Sequence, residues 1–321
     1  MKQYWRFYWP LALTGIGLVL SVQFQNAILA RYPEAVKELA VLAIAYGIYG
    51  FFNASLAFVA QLTNVYARSH EANRRVNFFV AVASLTIASP LFFISATNTG
   101  SELISLAFQI ESELVHQVRE YLILLCPLVL LNGQRHFYTG LLVQARLTGW
   151  ITLLNIIYLS TVISALLIGF FNGLKPNHVI VGSELIGVSV LICGLVITKR
   201  KLYSLPEKKE HQTVSYKELT RFFLPVSTTG IMFALSRPVL YAFVSRTENA
   251  LLTIAALRIA FDFTMLFQQA ANQFRHFFIT FGETELSLKV QFMKMARLKT
   301  TTIIAVMVWD GVVKRTHLVK L

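Results

Sequence analysis

The chain has 321 residues, of which 55% are hydrophobic and only 14% charged, with a formal net charge of +13 and a mean hydropathy of +0.59. So little charge excludes an ordinary soluble domain. The basic residues flank apolar runs and do not gather on one face, which also sets aside nucleic acid as a partner.

A membrane span needs about 20 predominantly apolar residues. Eight stretches meet this, roughly 9–30, 40–63, 77–97, 121–143, 150–171, 179–198, 222–245 and 250–280, the last overlong and polar towards its end. Lys2 and Arg6 ahead of the first run resemble the start of a signal peptide, but that run is too long for one and many follow it, so it reads as an uncleaved span. Between the third and fourth spans, Leu103, Leu106, Ile110 and Leu114 fall at helical spacing and predict an interfacial helix over residues 101–118. Cys126 and Cys193 lie in apolar runs without metal or redox spacing and read as small core residues. Residues 199–221 are polar, hold Pro206 and carry the densest basic run, as a cytoplasmic linker or a contact for anionic lipid headgroups would.

The loop charges orient the spans. Arg68, Arg74, Arg75, Arg146 and the Lys199–Arg221 cluster fall on one side, and few basic residues fall on the other. This predicts a cytoplasmic N-terminus in a cell inner membrane or plasma membrane.

A shift of 215 residues lays the first two spans on the seventh and eighth, with 14 of 43 positions identical from 10 to 52 without a gap. Pro10, Thr14, Gly15, Ile16 and Arg31 meet Pro225, Thr229, Gly230, Ile231 and Arg246. Pro, Thr-Gly-Ile and Arg at one fixed offset argue for duplication. Each unit would then contain an even six spans, so both share one orientation about an axis along the membrane normal. The expected domains are a first six-helix bundle over 1–198, a linker over 199–221, the start of a second bundle over 222–308 and a basic tail over 309–321. A second unit equal to the first would reach about residue 430, so the sequence reads as part of a protein of about twelve spans, with a genuine eight-span protein as the alternative.

Ionisable groups inside spans are costly and point to function. Arg31 and Arg246 are equivalent and read as interfacial anchors. Arg237, by contrast, meets Val22 in the repeat and lies roughly 13 Å deeper than Arg246; it either lines a cavity or partners an acid such as Asp262. Arg258, Asp262, Gln269, Asn272, Gln273 and His276 share about 100° of arc on the eighth span, facing water or a partner helix. In the first half, Gln23 and Asn26 sit three apart, and Tyr46, Gly50, Asn53, Ala57, Gln61 and Asn64 form one face of the second span. Arg135 interrupts the fourth span, and Glu184 lies near the outer end of the sixth. Surplus arginine favours an anionic solute bearing phosphate or carboxylate. No nucleotide-binding loop, metal motif or nucleophile–base set is present, which argues against an enzyme and leaves no cofactor to place.

Two six-span halves, each with a Pro in its first turns, resemble the multidrug/oligosaccharidyl-lipid/polysaccharide exporter superfamily. Within it, Ser236-Arg-Pro-Val-Leu-Tyr-Ala-Phe-Val-Ser-Arg246, Tyr8-Trp-Pro10 and Ala45-Tyr-Gly-Ile48 are similar to the progressive ankylosis transporters. The resemblance implies an all-α, polytopic fold of two bundles around a central cavity, working by alternating access and exporting anions such as pyrophosphate, nucleotide or citrate. The substrate-binding residues would be Arg237, Arg258, Arg135, Asp262, Gln269, Asn272, Asn53, Gln23 and Asn26. A flippase for lipid-linked pyrophosphates and a multidrug antiporter are the alternatives within the superfamily, and a non-transporting membrane protein is the alternative outside it; the coupling ion is open.

Overall fold

A computed structural model describes residues 2–204 and 214–272, together with positions 290 and 294. Ten α-helices follow one another: α1 Lys2–Leu29, α2 Ala35–Asn53, α3 Val59–Tyr66, α4 His70–Ala96, α5 Asn98–Phe108, α6 Ser112–Gln144, α7 Thr148–Phe171, α8 Pro176–Leu202, α9 Tyr216–Val244 and α10 Ala250–Asn272. A 3₁₀ turn, Ala54–Phe58, joins α2 to α3. Among the described residues, seven segments are long and apolar enough to cross a membrane: α1, α2 with α3, α4, α6, α7, α8 and α9. The 23-residue α10 occupies the eighth expected stretch. The protein is therefore a multi-pass helical membrane protein. The upper end is taken here as the one holding residues 30–34, 172–175 and 245–249.

Local chemistry sets the helix ends. Ser69 caps α4 by accepting from the Ala72 amide at 3.1 Å, with Glu71 in the first turn, and Thr97 caps α5 in the same way. A capping box of Ser215 and Glu218 opens α9. Lys199, Arg200 and Lys201 fill the last turn of α8, where cations suit the helix dipole. Gln109 adopts φ +48° and stops α5. The expected interfacial helix over 101–118 is thus divided, because residues from Ser112 onward belong to α6, which enters the bundle two turns before its apolar run begins.

At the centre stands α6, packed on α2, α3, α4 and α8, while α7 pairs with α8 and receives α1. Glycines permit the closest approaches. At Gly140 a Cβ would lie 2.5 Å from the Ala60 carbonyl oxygen and 2.8 Å from Thr63 Cβ, so α6 meets α3 backbone to side-chain stem. Tyr203 closes the lower end of this packing by donating to Gln144 Oε1 at 2.7 Å, and burial pushes its phenol up to about 12. Cys126 is buried as expected, but Cys193 is exposed on the outer surface of α8.

The duplication is visible in the backbone. α1 ends at Leu29 and α9 at Val244; α2 begins at Ala35 and α10 at Ala250, each pair at the 215-residue offset. The turns between them repeat bond for bond. Arg31 and Tyr32 amides donate to Ile28 and Leu29 carbonyls, both at 3.0 Å, as Arg246 and Thr247 amides donate to Phe243 and Val244 at 3.2 and 3.0 Å. The two units meet crosswise: α10 packs on α1 and α2, and α9 packs on α2 and the 3₁₀ turn. Gln273 and His276 of the predicted stripe, the linker lysines Lys208 and Lys209, the apolar stretch 300–308 and the basic tail 309–321 lie outside the described residues.

Because the atom nearest Gly140 belongs to a backbone that cannot step aside, Gly140→Ala should destabilise the protein by about 1–3 kcal/mol. A thermal unfolding midpoint in detergent lowered by several degrees is the expected result. Gly149→Ala, where a Cβ meets nothing within 4 Å, is the control that should not shift.

Candidate functional site

Arg258 and Asp262 stand one turn apart on α10 and are only 4% and 6% exposed. A buried guanidinium requires partners on all sides, since desolvating it unpaired costs several kcal/mol. They come from the other unit. The Asn26 side chain on α1 accepts from Arg258 Nε at 3.0 Å and donates from Nδ2 to Asp262 Oδ2 at 3.1 Å. The Leu42 carbonyl of α2 accepts from Arg258 Nη1 at 3.4 Å, and the guanidinium lies over the Tyr46 ring, 5.2 Å from its centroid. Within α10, Arg258 Nε is 3.8 Å from Asp262 Oδ2.

Arg237 of α9 completes the group. Its Nη1 is 3.4 Å from Asp262 Oδ1, its guanidinium lies over the Phe261 ring at 5.3 Å, and its side chain is about one-third exposed. Of the two readings left open for Arg237, partnership with Asp262 is the contact observed, with the side chain partly exposed. Asp262 thus sits between two arginines, both at distances longer than the roughly 2.7–2.9 Å of a tight charge-assisted bond. Arg258 Nη2 is buried without a hydrogen-bond partner.

The network continues into the first unit. Tyr46 donates its hydroxyl to Glu184 Oε2 at 2.5 Å. Gln25 also bonds Glu184, and Arg135 lies within its electrostatic reach. The sequence puts Glu184 near the outer end of the sixth span. The structure puts it inward, because α8 starts at Pro176 and carries Glu184 more than two turns down the helix. Counting from Pro176, a typical first helical residue, would have found it. Tyr46 was seen only as one member of a polar face.

The remaining predicted residues divide. Asn53 accepts from Asn132 Nδ2 at 3.3 Å, and Asn132 also donates to the Tyr49 hydroxyl at 2.7 Å, a separate polar group between α2 and α6. Gln23 lies one turn below Asn26 on α1 and has a buried Nε2 without a partner. Arg135 belongs to the Glu184 side of the network and not to the Arg237–Asp262 side. Gln269 and Asn272 are in α10, but their side chains lie outside the described residues. The described residues hold no group of three His, Cys, Asp or Glu side chains with metal-binding geometry.

Comparison with known proteins gives this arrangement a context. Residues 1–250 match the family described as progressive ankylosis protein (ANKH). Protein DETOXIFICATION 22 of Arabidopsis thaliana is 27% identical over 234 residues, covering 68% of this chain and 46% of its own length. The chain thus spans about half of that curated relative. Among solved structures, the eukaryotic MATE transporter AtDTX14 superposes with a TM-score of 0.65 at 12% identity, over 85% of this chain and 62% of its own. The MATE multidrug transporter DinF-BH in complex with R6G gives 0.63 at 13% identity, over 87% and 66%. A MOP superfamily transporter from Pyrococcus furiosus gives 0.62 at 15% identity, over 94% and 68%; its description reports a reversed polarity of the binding pocket. The fold is that of these transporters.

Removing one member of the buried pair leaves the other uncompensated. Asp262→Ala should cost about 3–5 kcal/mol, read as a lowered unfolding midpoint in detergent. The double variant Arg258→Met, Asp262→Leu should lose much less than the sum of the two single changes; additive losses would show that the pair is not coupled.

Proposed function

Because the chain belongs to the progressive ankylosis protein family, we propose that it serves a membrane transporter that exports an anionic solute bearing phosphate or carboxylate, by alternating access. In this reading residues 1–198 form the first bundle and residues from 222 begin the second. The N-terminus faces the cytoplasm of a cell inner membrane or plasma membrane, as the basic lower loops favour.

One observation carries the anion: two arginines converge on a single loosely held carboxylate at the seam between the units. A guanidinium grips phosphate or carboxylate through paired N–H groups. Asp262 occupies that role at 3.4 and 3.8 Å from the two arginines, and an incoming anion with tighter geometry would displace it. Arg258 Nη2, buried and unpartnered, is a donor ready for such a group. Asn26 and Gln23 add neutral amides, and Arg135 extends the positive region towards Glu184. Pocket polarity varies within this fold, as the description of the Pyrococcus protein indicates. The multidrug-antiporter reading draws on the same relatives, and the arginine pair favours an anion over it.

The test is uptake by proteoliposomes of labelled pyrophosphate and citrate, with R6G as competitor. Loss of a hydrogen bond to a charged group costs about 1.5–3 kcal/mol, so Arg237→Ala and Arg258→Ala should each slow anion uptake about 10- to 100-fold. Wild-type rates from Arg237→Ala would sink the assignment. R6G uptake without anion uptake would favour the multidrug reading.

A further inference from the structure

The duplication makes one contact between the units occur twice, once between α1 and α10 and once between α9 and α2, while α10 also packs on α2. The two copies have different chemistry. At the 215-residue offset, Asn26 corresponds to Tyr241, Arg258 to Ala43 and Asp262 to Gly47. In the first copy, one asparagine hydrogen-bonds a buried ion pair. In the second copy, a tyrosine that is 2% exposed lies against a glycine. A Cβ on Gly47 would sit 3.3 Å from Tyr241 Cδ2 and 3.7 Å from Pro238 Cα.

The dry contact does not stop there. Lower on α9, a Cβ on Gly230 would lie 2.8 Å from Phe58 Cε2 and 3.0 Å from the Ala54 carbonyl oxygen. Ser227 donates to the Ser55 carbonyl at 3.2 Å. The Phe223 ring meets Phe79 edge-on at 5.6 Å, and Leu219 is fully buried. Close contacts at Leu219, Phe223, Ser227, Gly230 and Tyr241 thus hold one stripe of α9 to the first unit.

The two seams respond differently to separation. Opening the close-packed one forfeits dispersion contacts that neither water nor lipid restores to the same degree. Opening the polar one exposes Arg258, Asp262 and Asn26, whose hydrogen bonds water or a bound anion can replace. We propose that the α1–α10 seam is the one that opens, giving the anion its passage to Arg258 and Arg237, while the α2–α9 seam stays closed and acts as the hinge. The identity of what passes rests on the transport reading above; the choice of seam does not.

Pulsed electron paramagnetic resonance on the full chain in lipid nanodiscs separates these claims. Spin labels at Ala30 and Leu252 report on the α1–α10 side, and labels at Val36 and Phe243 on the α2–α9 side; all four positions are exposed. Both pairs are built in a Cys126→Ser, Cys193→Ser background and measured alone, with inorganic pyrophosphate, and with Asn26→Ala, or Asn26→Ser if the alanine variant does not fold. The expected result is a longer Ala30–Leu252 distance in the Asn26 variant and with pyrophosphate, against an unchanged Val36–Phe243 distance. Lengthening in the variant without any response to pyrophosphate supports the seam and counts against the anion. Equal movement of both pairs, movement of the second pair alone, or no movement of either in any condition overturns the proposal.

Discussion

A buried guanidinium is the constraint on which the rest of the described structure turns. Arg258 cannot be left dry and unpaired, and no single helix can satisfy it. Its partners come from the amide of Asn26, the carbonyl of Leu42, the ring of Tyr46 and the carboxylate of Asp262. Three helices from two sequence-distant units must therefore arrive together, and a fourth, α9, follows because Arg237 shares Asp262. Tyr46 then ties the cluster to Glu184 and so to the middle of the first bundle. One charge thus determines which helices of the two units face one another.

Packing supplies the scaffold that makes this affordable. In a bilayer, apolar surface gains little by leaving lipid, and helices associate through close contact and hydrogen bonds instead. The glycines at 140, 187, 194 and 230 mark such contacts, each with a neighbouring atom within 3 Å of where a side chain would begin. Where lipid is the neighbour, large apolar residues stay exposed, as Ile168, Phe171 and Phe233 do.

Most of the spans and the repeat were legible in the sequence, because span length follows directly from the bilayer, and the repeat kept Pro, Gly and Arg in step. The pairing of Arg258 with Asp262 was legible too, from their four-residue spacing. The 3₁₀ turn at 54–58 was not. No Pro or Gly announces it, and its effect is geometric. Five residues wound at about 120° instead of 100° each rotate everything below by roughly 100°. Along the predicted face, Tyr46 meets Glu184 on α8, Asn53 meets Asn132 on α6, and the Asn64 backbone carbonyl accepts from Gln144 on α6. Asn26 as the joint between units was also hidden, since nothing on α1 indicates which distant helix lies across from it.

The contact of Tyr241 on Gly47 also bears on how two like halves came to differ. An ancestor with identical halves could have exchanged charged and apolar positions between them freely. With a tyrosine ring resting on residue 47, a Cβ there would lie 3.3 Å from it, so a larger side chain at this position requires the ring to shift. Small-to-large changes in a filled site act as a one-way gate on divergence.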